Sequence, residues 1–346
     1  MLGRRYRLEA RVAGGGMGEV WRGHDSRLDR VVAVKILHAS LAAKATFRRR
    51  FLSEAHALAQ LQVPGVVDLY DYGEDHDQSG NRMCYLVMEY VEGDSLADLL
   101  VEQGRLDHLR TMSIIAQAAQ ALHNAHRAAV IHRDVKPENI LVDHDGRVTL
   151  VDFGIALAGG DSGLTATGVI MGTVSYVSPE QLRNQDASPA SDIYALGVVA
   201  YECLAGRRPF LGDSPAAIIA GHLHEIPARL PDEVPEQLAT VLDRALTKDP
   251  TKRWRNAAEF ASACRAAATE VTLARSARRR GGQGRRSTNG PLAGAIGAAR
   301  AGRRHRGRHR KDRTTVGSAA LSLLHRGREV VSSSDDDTTA VPPAQN

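Results

Sequence analysis

Cysteine, aromatic residues and long apolar runs are all scarce in this chain of 346 residues. Its three cysteines, Cys84, Cys203 and Cys264, are an odd number without short spacing, which argues against a disulfide framework and a thiolate zinc site. No run of about 18 apolar residues is present to cross a bilayer, and the first residues lack the apolar core of a secretory signal. We therefore expect a cytoplasmic protein.

Acidic residues are scarce in the C-terminal part of the chain. Residues 271–346 contain 16 Lys and Arg but only 5 Asp and Glu, a net charge of +11. Residues 1–270 contain 29 basic and 35 acidic residues, a net charge of −6. The total of +5 is therefore the sum of an acidic body and a basic tail, so it does not by itself indicate a nucleic-acid-binding fold.

The basic tail, residues 271–346, has no aromatic residue, and its apolar periodicity ends near residue 275. Such a segment cannot bury enough apolar surface to offset its ordering entropy, so we expect it to be disordered. Three roles stay open for it. It can be a solvated linker, it can bind the phosphates of anionic lipid or nucleic acid, or it can contact an acidic protein surface.

The body divides into two regions by its periodicity. Residues 6–90 predict mainly strands, among them 31–37 and 82–90, with one amphipathic helix over 46–62. Residues 95–270 predict mainly helices, and the segments 140–142 and 148–151 form a hairpin there. The predicted helices of this second region lie near 109–122, 193–204, 235–246 and 256–268.

A glycine-rich segment lies near the N-terminus. Residues 13–20 read Ala-Gly-Gly-Gly-Met-Gly-Glu-Val, and glycines let backbone amides approach a phosphate closely. No Gly-Lys-Ser/Thr follows, which argues against a P-loop, and a strand-like run follows where a dinucleotide-binding turn needs a helix. The glycines are therefore predicted to form the tip of a hairpin, either as a phosphate cradle or as a plain flexible turn.

Two charged residues occupy apolar surroundings. Lys35 lies inside an apolar strand, and a buried lysine needs an anion from the protein or from a ligand. Glu54 lies beside the apolar stripe of helix 46–62 and is a candidate partner for it. Each residue alone is compatible with a solvated charge at the edge of an element, but together they favour an inward ion pair.

A polar loop precedes the hairpin. Within six residues, Asp134, Lys136 and Asn139 supply a carboxylate, an ammonium and an amide oxygen that a loop can bring to one reacting centre. Asp152 follows the hairpin, which returns the chain close to its start. Asn139 and Asp152 are therefore placed to bind the same hard cation through oxygen atoms.

These segments match a known set of motifs. The glycine-rich turn, Val-Ala-Val-Lys at 32–35, His-Arg-Asp-x-Lys-x-x-Asn at 132–139, Asp-Phe-Gly at 152–154 and Ser-Pro-Glu at 178–180 have the order and spacing found in protein kinases. Over about residues 6–270, the chain resembles the eukaryotic-like (Hanks-type) bacterial serine/threonine protein kinases, in detail those of actinobacteria.

The resemblance implies an α+β, two-lobed protein kinase fold. The catalytic domain would cover residues 1–270, with a small β-rich N-lobe at about 6–90 and a larger helical C-lobe at about 91–270. The tail, 271–346, would follow it. The departure from the family pattern is Ala13, which stands where the family has its first loop glycine and is tolerated if its φ stays negative.

The resemblance also assigns roles to individual residues. Asp134 would orient the substrate hydroxyl and accept its proton, and Lys136 would neutralise charge on the γ-phosphate. Asn139 and Asp152 would bind Mg²⁺, with Mn²⁺ as an alternative. The residues implied in binding ATP are Ala13, Gly14, Gly15, Gly16, Met17, Gly18, Val20, Ala33, Lys35, Glu54, Met88, Glu89 and Val91, together with Asn139 and Asp152 through the metal.

Further matches concern the scaffold and its regulation. Asp192 resembles the acid that anchors the catalytic loop, and Glu180 with Arg253 resembles a buried ion pair of the family. Thr173 resembles the threonine that contacts the catalytic Asp and Lys. Since Arg133 precedes the catalytic Asp, activation-loop phosphorylation is expected. Its expected acceptors are Thr165 and Thr167.

The implied activity is transfer of the γ-phosphoryl group of Mg-ATP to Ser or Thr hydroxyls of proteins, with autophosphorylation in the activation loop. The implied partners are ATP, protein substrates and a second copy of the chain for phosphorylation in trans. Two alternatives stay open: a nucleotide-binding pseudokinase that acts as a scaffold, and an adaptor localised by its basic tail.

Overall fold

In the computed structural model of the chain, residues 1–15, 18–153 and 173–283 are described, apart from the side chains of Arg50, Glu54, Thr173 and residues 278–283. All of these residues belong to one unit, Met1–Asn289. It consists of a β-rich N-terminal lobe and a helical C-terminal lobe, as the resemblance implies.

The N-terminal lobe is built on a five-stranded antiparallel sheet with the strand order β1-β2-β3-β5-β4. The predicted segments 31–37 and 82–90 correspond to two of its strands. The bounds are β1 Tyr6–Gly15, β2 Gly18–Asp25, β3 Arg30–Leu37, β4 Leu69–His76 and β5 Arg82–Glu89. Between β3 and β4 lie a short helix α1, Ala39–Ala42, and the predicted amphipathic helix α2, Ala45–Ala59.

Both faces of this sheet are covered, which explains why β3 and β5 are mostly apolar. Successive side chains of a strand point to opposite faces. In β5, Leu86 and Met88 belong to one buried cluster with Phe51 of α2. Tyr85 and Val87 belong to a second cluster on the other face. The face shared with α2 is the one that bears the candidate site.

The C-terminal lobe is mainly helical and also contains a three-stranded sheet with the order β6-β7-β8. Helix α6 is buried along most of its length, as its apolar sequence predicts. The helices are α3 Leu96–Gln103, α4 His108–Arg127, α5 Pro179–Leu182, α6 Pro189–Ala205, α7 Pro215–His224, α8 Glu236–Ala245 and α9 Ala257–Gln283. The strands are β6 Gly93–Ser95, β7 Ile140–Asp143 and β8 Val148–Leu150.

Helix α9 is longer than the sequence pattern predicts. The prediction ended it at residue 268 and assigned residues 271–346 to a disordered tail, but the helix continues through Gln283. Ala267 and Val271 are buried in the core of the lobe, so the apolar face extends one more turn than the prediction allowed. Alanine and arginine also favour helix. No helix in the described ranges has both the length and the hydropathy to cross a membrane.

Candidate active site

The glycine-rich segment forms the tip of the β1–β2 hairpin, as predicted. Gly14 pairs with Glu19, and Gly15 pairs with Gly18. A Cβ atom at Gly18 would collide with the carbonyl oxygen of Ile36, so glycine is required where β2 passes β3. Ala13 lies within the ladder without a positive φ, as its tolerance requires. Gly16 and Met17 lie outside the described residues.

Strand register places several predicted nucleotide-binding residues on one face of the sheet. Directly opposed residues of antiparallel strands point to the same face. Lys35 is opposite Val20 of β2, and Ala33, two residues before it, is opposite Met88 of β5. Val20, Ala33, Lys35 and Met88 therefore share a face. Glu89 follows Met88, and its amide donates to the carbonyl oxygen of Asp68 at 2.9 Å.

Lys35 contacts Asp152, the first residue of the Asp-Phe-Gly motif. The ammonium nitrogen lies 3.1 Å from the Asp152 carboxylate, and the lysine side chain is only 13% exposed. This contact joins the β-rich lobe to the segment that follows β8. Glu54 lies on helix α2, but its side chain lies outside the described part, so its pairing with Lys35 stays a prediction.

The polar loop after α4 brings three predicted residues together. The Asp134 carboxylate accepts hydrogen bonds from Lys136 Nζ at 2.6 Å and from Asn139 Nδ2 at 3.2 Å. Asn139 Nδ2 also donates to the Asp134 carbonyl oxygen at 2.8 Å. A carboxylate, an ammonium and an amide therefore lie within direct contact of one another.

The β7–β8 hairpin returns the chain to this loop, as its turn sequence predicts. After the hairpin, the Val151 amide donates to the Asn139 carbonyl oxygen at 3.0 Å, which places Asp152 beside Asn139. Because the side-chain nitrogen of Asn139 is bound to Asp134, its amide oxygen is the atom that it offers a ligand. No cluster of three or more His, Cys, Asp or Glu side chains suited to a metal occurs in the described part of the chain.

Asp192 holds the start of the polar loop that bears Asp134, Lys136 and Asn139, which is called the catalytic loop from here on. Its buried carboxylate accepts the backbone amides of His132 and Arg133, each at 2.9 Å, and contacts His126 Nε2 at 2.7 Å. Arg133 has a φ of 68°, which a non-glycine residue adopts only when its surroundings hold it there. The anchoring role that the resemblance implied for Asp192 is confirmed.

Replacing Asp192 by alanine is expected to impair stability and activity together. The change leaves two backbone amides and a histidine without their acceptor in the protein interior. Each unsatisfied buried donor costs about 1–3 kcal/mol, so we expect the free energy of unfolding to fall by about 3 kcal/mol. Chemical denaturation measures this loss.

The matched control for this prediction is Asp186→Ala, which removes an exposed carboxylate a few residues earlier in the chain. Surface changes of this kind usually alter stability by less than about 0.5 kcal/mol. Equal denaturation midpoints for the two variants would contradict the anchoring role of Asp192.

The predicted ion pair between Glu180 and Arg253 is confirmed and is buried. Arg253 Nη1 and Nη2 donate to the two carboxylate oxygens of Glu180 at 2.7 and 2.8 Å. The guanidinium also donates to the carbonyl oxygens of Thr247, Ala190 and Lys248. The pair joins α5, which contains the last two residues of the Ser-Pro-Glu motif, to the segment before α9.

Some of the predicted residues lie outside the described part of the chain, and one buried contact was not predicted. Thr165 and Thr167 lie outside the described residues, as does the side chain of Thr173. No motif predicted that His222, a buried histidine of α7, bonds the backbone of the Thr173–Tyr176 segment. Its position within an apolar helix was a weak signal for this contact.

Comparison with known proteins agrees with this geometry. The family model for the protein kinase domain matches residues 6–264 of the chain. The chain belongs to the protein kinase family. The two ion pairs and the polar loop described above lie within the matched region, and the lobes lie within it except for the C-terminal part of α9.

Similar serine/threonine-protein kinases occur in actinobacteria, as the motifs indicated. Serine/threonine-protein kinase PknA of Mycobacterium tuberculosis is 44% identical over 262 residues, covering 76% of this chain and 61% of that protein. PknA of Corynebacterium glutamicum is 42% identical over 263 residues, covering 76% and 56%. PknL of Mycobacterium bovis is 41% identical over 276 residues, covering 79% and 68%. The chain thus spans less than two thirds of the length of the PknA proteins.

Proposed function

We propose that this chain is an ATP-dependent protein kinase that phosphorylates Ser and Thr hydroxyls of proteins. One observation carries the proposal: Lys35 contacts Asp152, the adjacent Val151 amide donates to Asn139, and Asn139 and Lys136 both donate to Asp134. Phosphoryl transfer depends on positioning and on charge neutralisation, which is what these charged groups supply.

Each group of the site has a definite task in this proposal. Asp134 orients the acceptor hydroxyl and accepts its proton, while Lys136 neutralises charge on the transferred phosphoryl group. Lys35 binds phosphate oxygens beneath the glycine-rich turn. The carboxylate of Asp152 and the amide oxygen of Asn139 are hard donors that fit Mg²⁺, which usually takes one or two protein ligands together with substrate phosphates. The bound Mg²⁺ supplies charge neutralisation for the phosphates.

A phosphotransfer assay tests the proposed function. The purified chain, incubated with Mg²⁺ and γ-labelled ATP, is expected to label itself or a general acceptor such as myelin basic protein. Acid hydrolysis of the product should release phosphoserine or phosphothreonine, and chelation of the metal should abolish labelling. ATP binding without any transfer would contradict the proposal and would favour the pseudokinase scaffold.

We also propose that one or both of Thr165 and Thr167 are autophosphorylated in trans. The support is the sequence Gly-Leu-Thr-Ala-Thr-Gly at 163–168, together with Arg133, a cation beside the catalytic Asp134 that can pair with a phosphate. The double variant Thr165→Ala/Thr167→Ala is expected to lose most of its activity toward an added acceptor. Full activity of that variant would contradict this regulation.

A further inference from the structure

A buried chain of hydrogen bonds ends on the backbone beside the active site. His222 is fully buried on α7, and its Nε2 lies 3.0 Å from the carbonyl oxygen of Ser175. Its Nδ1 lies 3.0 Å from the hydroxyl of Tyr194 on α6. Lys248 Nζ lies 3.4 Å from that same hydroxyl and donates to the Gly221 carbonyl oxygen at 3.0 Å.

The direction of every bond in this chain is fixed by chemistry. A carbonyl oxygen only accepts, so His222 carries its proton on Nε2 and donates it to Ser175. Nδ1 of the neutral ring then accepts from the Tyr194 hydroxyl, whose oxygen accepts from the Lys248 ammonium. Burial and the nearby Lys248 lower the pKa of His222 to about 4, so the ring is neutral near pH 7. The tautomer with its proton on Nε2 is therefore selected.

Ser175 belongs to a segment that lies against the catalytic loop. The short 3-10 helix Thr173–Tyr176 contains it. Burial and the carboxylates of Glu202 and Glu138 raise the pKa of Tyr176, and Glu138 is part of the loop that bears Asp134. Downstream, Gln181 Nε2 lies 3.5 Å from the carbonyl oxygen of Arg133. A protein whose hydroxyl reaches Asp134 therefore lies alongside this segment.

The segment is held to the lobe at several points. The Tyr176 hydroxyl donates to Glu202 at 2.6 Å, and Arg208 contacts the hydroxyl of Ser175. The bond from His222 is different in kind, because it fixes the backbone of the segment rather than a side chain. It is also the one that depends on a selected tautomer.

We propose that His222, held in place by the hydroxyl of Tyr194, is a positioning residue for the protein substrate: it holds the backbone at Ser175 in the orientation that an acceptor chain needs beside Asp134. This inference rests on the proposed kinase activity. It makes His222 important for the acceptor and not for ATP, because none of its contacts in the described part of the chain leads to the nucleotide face of the N-terminal sheet.

The test compares steady-state constants of the full chain with myelin basic protein as the acceptor. His222→Phe is expected to raise KM for the acceptor about tenfold, the effect of losing one hydrogen bond of ordinary strength, with KM for ATP within about twofold of wild type. His222→Gln is expected to restore most of the affinity, since its amide nitrogen can donate where Nε2 did. His224→Phe, an exposed position on the same helix, is the matched control and should behave as wild type.

Tyr194→Phe provides a second variant that keeps the aromatic ring and removes only the hydroxyl. It is expected to raise KM for the acceptor about threefold, because Nε2 can still donate to Ser175 but Nδ1 loses the donor that helps to hold the ring in place. If His222→Phe does not fold, KM for the acceptor in Tyr194→Phe tests the proposal in its place. Unchanged KM for the acceptor, or equal rises in KM for the acceptor and for ATP, would overturn the proposal. Absence of transfer by the wild-type chain would instead contradict the kinase activity itself.

Discussion

Replacing Asp134 by asparagine is expected to lower kcat for phosphotransfer by about 10²- to 10⁴-fold, the usual contribution of a positioned general base. Asparagine has nearly the same shape but cannot accept the proton of the acceptor hydroxyl. It also places an amide where the carboxylate now accepts from Lys136 and Asn139. Binding of ATP should change little, because the nucleotide is held by other residues.

The control for this variant is Asp145→Asn. Asp145 lies in the exposed turn between β7 and β8, where it contacts Arg147. The same chemical change at this position should leave kcat as in wild type. Comparison of melting temperatures excludes misfolding as the cause of the loss at Asp134. Transfer by Asp134→Asn at the rate of the Asp145→Asn control would contradict the role of Asp134.

Replacing Arg253 by methionine is expected to reduce the free energy of unfolding by about 3–5 kcal/mol. The change leaves the buried carboxylate of Glu180 without its bidentate partner. Three carbonyl oxygens also lose the guanidinium as their donor. Arg253→Lys should give an intermediate loss, because an ammonium keeps the charge but cannot form the same planar pair of bonds. Equilibrium denaturation measures both losses.

Two further variants make this prediction specific to the buried pair. Lys252→Met removes the neighbouring cation, whose contact with Asp249 is long and exposed, and should cost less than about 1 kcal/mol. The double variant Glu180→Gln/Arg253→Met should be more stable than Arg253→Met alone, because it no longer buries an unpaired charge. A loss at Arg253 no larger than that at Lys252 would contradict the prediction.

The same pair predicts how stability depends on pH. Burial by itself raises the pKa of the Glu180 carboxyl, but the bonds and charge of Arg253 outweigh it and hold that pKa below its ordinary value of 4.5. The contribution of the pair is therefore complete above pH 4.5 and is lost as the pH falls below it through the folded-state pKa. Glu180→Gln should show a smaller loss of stability over that acidic range.

The sequence predicted which helices and strands are present better than it predicted the residues at which they begin and end. Helix α2 and strand β5 were predicted within a few residues, because their apolar periodicity is strong. The prediction ended helix α9 15 residues too early, because the apolar periodicity of this Ala- and Arg-rich stretch is weak. Only the burial of Val271 against the lobe shows which face continues.

The predicted site residues fall into two classes. Asp134, Lys136 and Asn139 are so close in sequence that a loop of six residues brings them together, and the structure does so. Lys35 and Asp152 are far apart in sequence. Their direct contact was not predicted, because the argument from burial named Glu54 as the candidate partner of Lys35.

By itself the sequence determined the family, the two-lobed fold and the identity of the charged loop residues, because these depend on motifs of adjacent positions and on periodicity. Tertiary structure alone decided that His222 bonds Ser175, 47 residues away, and that the Lys35 ammonium contacts Asp152. Such contacts follow from how helices and strands pack, and a buried polar group is satisfied by whichever partner the packing brings within about 3 Å.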